Sequence, residues 1–320
     1  MSTISVTRIF FATDVHGSEH VWRKWISAAS VYKANILMLC GDLTGKAIVP
    51  LMLRGDGMVR CHVFGKDYNF RNDEKKIEEM KSKIRFSGYY PYVCSEDEVR
   101  ELELAPIKVD RLFKKLMAEE LGRWLEMLEE KLPKDVEVYV SPGNDDNFVI
   151  DPVIEECERV VYPVGKVCNL CYDHEMITCG WSNPTPWNSP RECSEKILKE
   201  KLERENKRVT NTEKLLCNFH CPPYGTRLDI CPKIDKDLKP VVRFGQVTTI
   251  HAGSKAVREF IETHQPLMGL HGHIHESYAS EKIGRTLCIN PGSEYTEGIL
   301  RGFIIDLTRE GVKTYWKVEG

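Results

Sequence analysis

Three histidines at alternate positions, in Gly269-Leu270-His271-Gly272-His273-Ile274-His275, form the densest group of metal-ligand side chains in the chain. Histidine is the commonest protein metal ligand, and glycine lets the backbone turn with no Cβ in the way. More than one imidazole can therefore face a single cleft. Further donors stand in a similar setting: Asp14 and His16 before Gly17, Asp42 after Gly41, Asn144, Asp145 and Asp146 after Gly143, and His220 before Cys221-Pro222-Pro223. Side chains of this kind suit Mn, Fe, Co, Ni or Zn. Asp14, His16, Asp42, Asn144, His220, His273 and His275 are too many for one tetrahedral zinc. With one carboxylate bridging, they match two metals about 3.5–4 Å apart, a pair able to lower the pKa of bound water toward about 7 and to hold both oxygens of an in-line displacement.

Each donor group directly follows a short apolar run. Arg8–Thr13 runs into Asp14, Asn35–Cys40 into Gly41-Asp42, Val136–Val140 into Pro142–Asp146, Leu215–Phe219 into His220, and Pro266–Met268 into the histidine cluster. These runs read as buried strands. Their carboxyl ends are where open α/β sheets bind ligands. Ser18 can cap a helix that puts Val21, Trp22, Trp25, Ile26 and Ala29 on one face. Ile107–Leu132 reads as an amphipathic crossover helix ended by Pro133. The interval of about 46–105 is then an insertion: a hairpin around Gly55-Asp56-Gly57, a charged helix over Asp73–Phe86 and an aromatic turn at Tyr89–Tyr92. Cys193–Val209 and Ser254–His264 read as helices. Strands are expected between Val160 and Gly180, and at Arg285–Ile289, Gly302–Asp306 and Val312–Val318.

At 320 residues with 42% hydrophobic and 29% charged side chains, the chain reads as one soluble domain over 1–320 with an inserted subdomain. A net charge of −3 and the lack of a basic stripe disfavour nucleic acid as partner. No signal peptide or membrane-length apolar run is read, so a cytoplasmic protein is expected. Twelve scattered cysteines read as free core or loop thiols.

In order and context, Asp14-x-His16, Gly41-Asp42, Gly143-Asn144-Asp145, His220 and Gly272-His273-x-His275 resemble the five motifs of the calcineurin-like metallophosphoesterases. The likeness runs from residue 8 to about 293 and includes the Asn290-Pro291-Gly292-Ser293 turn. It implies an α/β, four-layer αββα sandwich of two mixed sheets with two divalent or trivalent metals, manganese favoured. Asp14, His16 and His275 would hold one metal, Asn144, His220 and His273 the other, and Asp42 would bridge. His271 has no place among the family's ligands. The implied activity is phosphoester hydrolysis by a metal-bridging hydroxide, a phosphodiester slightly preferred, on a small substrate of nucleotide type. A nuclease and a non-catalytic protein-binding scaffold are the alternatives, and the insertion is a candidate surface for self-association. The family usually has histidine after Gly-Asn. Here Asp145 stands there with Asp146 next, and these two are the candidate catalytic residues. Two adjacent dications would hold Asp145 ionised and make it a poor acid.

Overall fold

In the computed structural model, which describes residues 5–320, alternation along the strands builds three stacked cores. The chain begins with β1 (Thr7–Ala12), α1 (Glu19–Tyr32) and β2 (Ile36–Cys40). An excursion follows: β3 (Ile48–Leu53), β4 (Met58–Val63), β5 (Lys66–Arg71), α2 (Glu74–Phe86), β6 (Tyr90–Ser95) and α3 (Glu96–Glu103). Helix α4 (Pro106–Lys131) returns to β7 (Glu137–Ser141), and the short α5 (Asp151–Glu155) leads to β8 (Cys168–Asn169) and β9 (Glu175–Cys179). Then come α6 (Glu195–Asn206), β10 (Leu215–Phe219), and a projecting arm of β11 (Ile230–Pro232), β12 (Val242–Arg243), β13 (Gln246–Val247) and β14 (Thr249–His251). Helix α7 (Lys255–His264), β15 (Met268–Leu270), β16 (Ala279–Ile283), β17 (Thr286–Asn290), β18 (Arg301–Thr308) and β19 (Gly311–Glu319) complete the chain.

One sheet has the order β19-β18-β1-β2-β7 and the other β16-β17-β15-β10-β9-β8. Because strand side chains alternate between faces, Ile9 and Phe11 of β1 point with Ile36 and Met38 toward Leu216, Met268, Leu270 and Ile289 of the second sheet. Phe10, Ala12, Leu37 and Leu39 point the other way, onto Trp22 and Trp25 of α1 and Trp124, Leu125 and Leu128 of α4. Leu215, Cys217 and Phe219 turn their outer face to Leu198 and Leu202 of α6 and Val257 and Phe260 of α7. The fold is a four-layer αββα sandwich of two mixed sheets. Strands β1, β2 and β7 are parallel to one another, as are β10 and β15, so each set delivers its carboxyl ends to one edge.

The excursion is a sheet of order β5-β4-β3-β6 with a core of its own, in which Leu51, Val59 and Cys61 pack on Met80 and Ile84 of α2. Most of the expected turn at Tyr89–Tyr92 is strand instead: β6 pairs in parallel with β3 from Tyr90 to Ser95. It lies at the sheet edge, where Pro91, lacking an N–H, breaks no ladder. Six more elements depart from expectation. β5 and α3 are too polar to register as buried elements, and the arm's strands are exposed on short ladders. All twelve cysteines are free. Among the described residues, no helix is long and apolar enough to cross a membrane. The stretch read for a leader begins with residues 1–4, which lie outside the described residues.

Candidate metal centre

The seven side chains singled out from the sequence meet at the carboxyl ends of β1, β2, β7, β10 and β15. Asp14, His16 and His275 each offer a ligand atom within 4.8 Å of the other two, as do Asp42, His220 and His273, and also His16, Asp42 and Asp145. His16 Nε2 is 2.9 Å from His275 Nε2, and His275 Nε2 is 3.5 Å from Asp14 Oδ1. His220 Nε2 lies 3.1 Å from Asn144 Oδ1 and 3.4 Å from Asp42 Oδ2. Asp42 Oδ2 is 3.7 Å from His16 Nε2, so this carboxylate stands between the two groups.

Local backbone conformation makes the convergence possible. Asp14, His16, Asp42 and His273 have φ of 55°, 40°, 49° and 68°, the left-handed region that non-glycine residues seldom enter. Such strain persists where surrounding structure over-determines it. The restraint is visible: Asp14 N donates to Gly41 O at 2.9 Å, His16 N to Asp42 O at 2.9 Å, and His273 N to Asp14 Oδ2 at 3.0 Å. The Asn290–Ser293 turn braces the histidine loop from behind. The Asn290 amide lies 3.1 Å from both Gly272 O and Ile274 O, and Ser293 Oγ donates to Asp14 O at 2.6 Å.

Charge at the centre is concentrated and poorly hydrated. Burial pushes the Asp42 carboxyl up to about 6, with Asp145 and Asp14 adding to it against the pull of His220. For Asp14, burial acts upward, but His220, His275 and His16 outweigh it and hold the carboxyl well below its usual range. Burial lowers His273 to about 3, with His220 adding to the effect. At His220 burial is overcome by Asp42 and Asp14, which raise the imidazole to about 9.

These residues fit divalent cations. Donor atoms about 2.0–2.2 Å from a tetrahedral or octahedral ion stand about 2.8–3.6 Å from each other, from the bond lengths alone. The closest pairs at the centre fall in that range. The backbone also leaves the donors room that only glycine provides. A Cβ on Gly41 would be 2.0 Å from His220 Nδ1, one on Gly143 2.2 Å from Asp42 Oδ1, and one on Gly272 2.4 Å from Asp14 Oδ2.

Asp145 and Asp146 part company. Asp145 Oδ1 accepts from Ser189 Oγ at 2.6 Å, and Oδ2 lies 3.0 Å from Lys46 Nζ and 3.9 Å from His16 Nδ1. Burial works to raise its pKa, but Lys46, His16 and Ser189 bring it down to about 2. Asp146 is fully buried and turned into the fold, where it accepts from Leu43 N, Thr44 N, Thr44 Oγ1 and Gly143 N. His271 is also fully buried, with Nδ1 2.7 Å from Phe219 O; burial lowers it to about 4, and it packs behind the centre.

Lys46, Ser189 and Tyr295 border the site without having been singled out. Tyr295 lies 4.9 Å from the His16 ring, centroid to centroid. A lone lysine, serine or tyrosine in a loop carries no pattern that separates it from surface residues. Other histidines and an arginine outside the cluster are engaged elsewhere: His62 with Asp67, His251 with Asp229, His264 with Glu203, and Arg227 with Glu281 and Ser280 O. Arg243 is exposed on the arm. Tyr90 packs in the core and the Tyr92 hydroxyl donates to Glu98.

An αββα sandwich whose strand ends gather Asp, Asn and His in this order defines a class of fold, and the chain shares that fold with solved structures. It is similar to the uncharacterized protein MJ1162 of Methanocaldococcus jannaschii, 34% identical over 175 residues, covering 53% of this chain and 71% of that one. Two solved structures share the fold across nearly the whole length. TT1561 of Thermus thermophilus is 13% identical with a TM-score of 0.51, over 98% of this chain and 99% of its own. Another crystal structure is 17% identical with a TM-score of 0.58, over 97% and 98%. No protein-family model matches the chain.

Proposed function

We propose that the protein is a metal-dependent phosphoesterase that prefers phosphodiesters to monoesters. The observation carrying this is the meeting of seven donor side chains from five strand ends, with N and O atoms as little as 2.9–3.5 Å apart. Asp14, His16 and His275 would hold one cation, Asn144, His220 and His273 the second, and Asp42 would serve both; manganese suits this N/O set. When bound, the cations supply Lewis-acid charge at the phosphoryl oxygens and ionised water at neutral pH.

The chain's own groups explain the substrate preference. Asp145 is held ionised by Lys46 and by the Ser189 hydroxyl, so it has no proton to give a departing alkoxide. Esters whose leaving group needs little protonation, such as aryl or nucleotide-type diesters, are then favoured. Asp146, paired with Asp145 as a catalytic candidate in the sequence, takes a different role here. Its carboxylate ties the loop after Asp42 to the turn that carries Asn144, and so it positions those ligands rather than meeting substrate.

The test strips the protein with chelator, restores Mn²⁺ and compares bis(p-nitrophenyl) phosphate with p-nitrophenyl phosphate. Metal-dependent turnover with the diester ahead is expected. Full activity in the stripped protein, or no hydrolysis of either ester after metal uptake, would contradict the assignment.

A further inference from the structure

Asp145 places a carboxylate beside the candidate metal centre, and both of its oxygens are already occupied. Oδ1 accepts from Ser189 Oγ at 2.6 Å and lies 3.1 Å from Asn144 Nδ2; Oδ2 lies 3.0 Å from Lys46 Nζ. An ammonium carries three N–H donors. Asp145 is the partner the Lys46 head group has among the described residues, and 46% of the lysine side chain is exposed. Donors therefore remain turned to the solvent of the cleft, one carboxylate away from His16.

The lysine's place is set by the root of the inserted sheet. Gly45 N donates to Tyr90 Oη at 2.7 Å. A Cβ on Gly45 would stand 2.1 Å from Gly88 O, and one on Gly88 only 2.0 Å from His16 O. The backbones before β3 and β6 are thus pressed against the loop that carries His16, and Lys46 follows directly.

We propose that Lys46 is a catalytic residue that donates to a non-bridging oxygen of the substrate's phosphoryl group, and that Asp145 and Ser189 are positioning residues that hold its ammonium in the cleft. This rests on the phosphoesterase assignment. It also accounts for a carboxylate facing an anionic substrate, because the ion pair cancels the charge of Asp145 and leaves N–H groups free to bind phosphate. A rival role is simple neutralisation of Asp145 with no substrate contact. The two differ in what removing both partners does.

The experiment uses manganese-loaded wild type, K46M, K46R, D145N and the K46M/D145N double variant. Kinetics with bis(p-nitrophenyl) phosphate are combined with calorimetric binding of inorganic phosphate and metal content by emission spectrometry. K46M is expected to raise both KM and the phosphate Kd about tenfold, the order of one charge-assisted hydrogen bond. K46R should stay within about threefold of wild type, since a guanidinium also donates to phosphate. The double variant should remain as impaired as K46M. Near-wild-type parameters in K46M, or recovery in the double variant, overturn the proposal. Loss of bound manganese in K46M also overturns it, by assigning the lysine to assembly of the centre. If wild type hydrolyses no ester, the phosphoesterase assignment fails, while the phosphate Kd of wild type against K46M still decides whether Lys46 binds the anion.

Discussion

Replacing Asp146 by alanine tests whether one buried carboxylate holds the two halves of the candidate centre in register. Its oxygens accept from Leu43 N at 3.0 Å, Thr44 N at 2.9 Å, Thr44 Oγ1 at 2.7 Å and Gly143 N at 2.8 Å, with no exposure to solvent. A hydrogen bond to a charged group contributes about 1.5–3 kcal/mol net, and each buried donor left unpaired costs about 1–3 kcal/mol. These contributions are not additive, because Thr44 Oγ1 can turn to another acceptor and a water can enter the space. Burial also disfavours the ionised carboxyl itself and raises its pKa, which offsets part of the gain. A net loss of about 3–5 kcal/mol is expected, at the high end for a single substitution. Asp146→Asn keeps the shape but sets an NH2 against backbone N–H groups, so about 2–3 kcal/mol is expected there. Urea unfolding of the chelator-stripped protein reads both values. At a slope of about 3 kcal/mol per molar, the alanine variant should lose about 1–1.7 M of midpoint. Asp42 and Asn144 are displaced along with the loops, so Mn²⁺ affinity measured by calorimetry should fall more than about tenfold. A variant within about 0.5 kcal/mol of wild type with unchanged metal affinity would refute the positioning role.

Three further outcomes are expected. Gly41→Ala puts a Cβ 2.0 Å from His220 Nδ1 on a backbone with φ of 115°, so thermal stability and bound metal per chain should both drop, by about 2–4 kcal/mol for the former; an unaltered melting curve with full metal content would contradict this. Asp145→His should raise kcat/KM for phenyl phosphate relative to p-nitrophenyl phosphate by about tenfold or more, because an imidazole can protonate the poorer leaving oxygen; an unchanged ratio would show that the acid is not what position 145 lacks. His174 is wholly buried, with Nδ1 2.9 Å from Cys171 O, and burial lowers its pKa, so the unfolded chain takes a proton near pH 6.5 that the folded chain resists. Stability present above that pH is then lost as pH falls, with a slope of up to about 1.4 kcal/mol per unit, and His174→Gln should lose that part of the slope in urea titrations between pH 7 and 5; parallel slopes would exclude the histidine.

Much of the architecture was legible in the sequence because burial on both faces leaves a dense local signal. The apolar runs before Asp14, Asp42, Asn144, His220 and His273 admit few readings besides central strands, and the donors that end them mark one edge of the sandwich. Helix α4 announced itself by its periodicity and by Pro133. Elements that bury one face or none left fainter traces. Tyr90–Ser95 joined the inserted sheet through its pairing with Ile48–Leu53, a long-range ladder that tyrosines and a proline do not advertise.

The order of donor types along the chain was thus enough to single out seven side chains that the fold brings together. Which of them face each other was settled by packing one sheet on the other and by left-handed backbone at Asp14, His16, Asp42 and His273. The same packing turned Asp146 inward, to serve backbone N–H groups, and left its neighbour Asp145 in the cleft beside Lys46, nearly a hundred positions away in the chain. Adjacent residues of identical type have identical local propensities. Only the direction of each Cβ and the donors waiting there could separate a carboxylate turned into the fold from one beside the candidate metal centre.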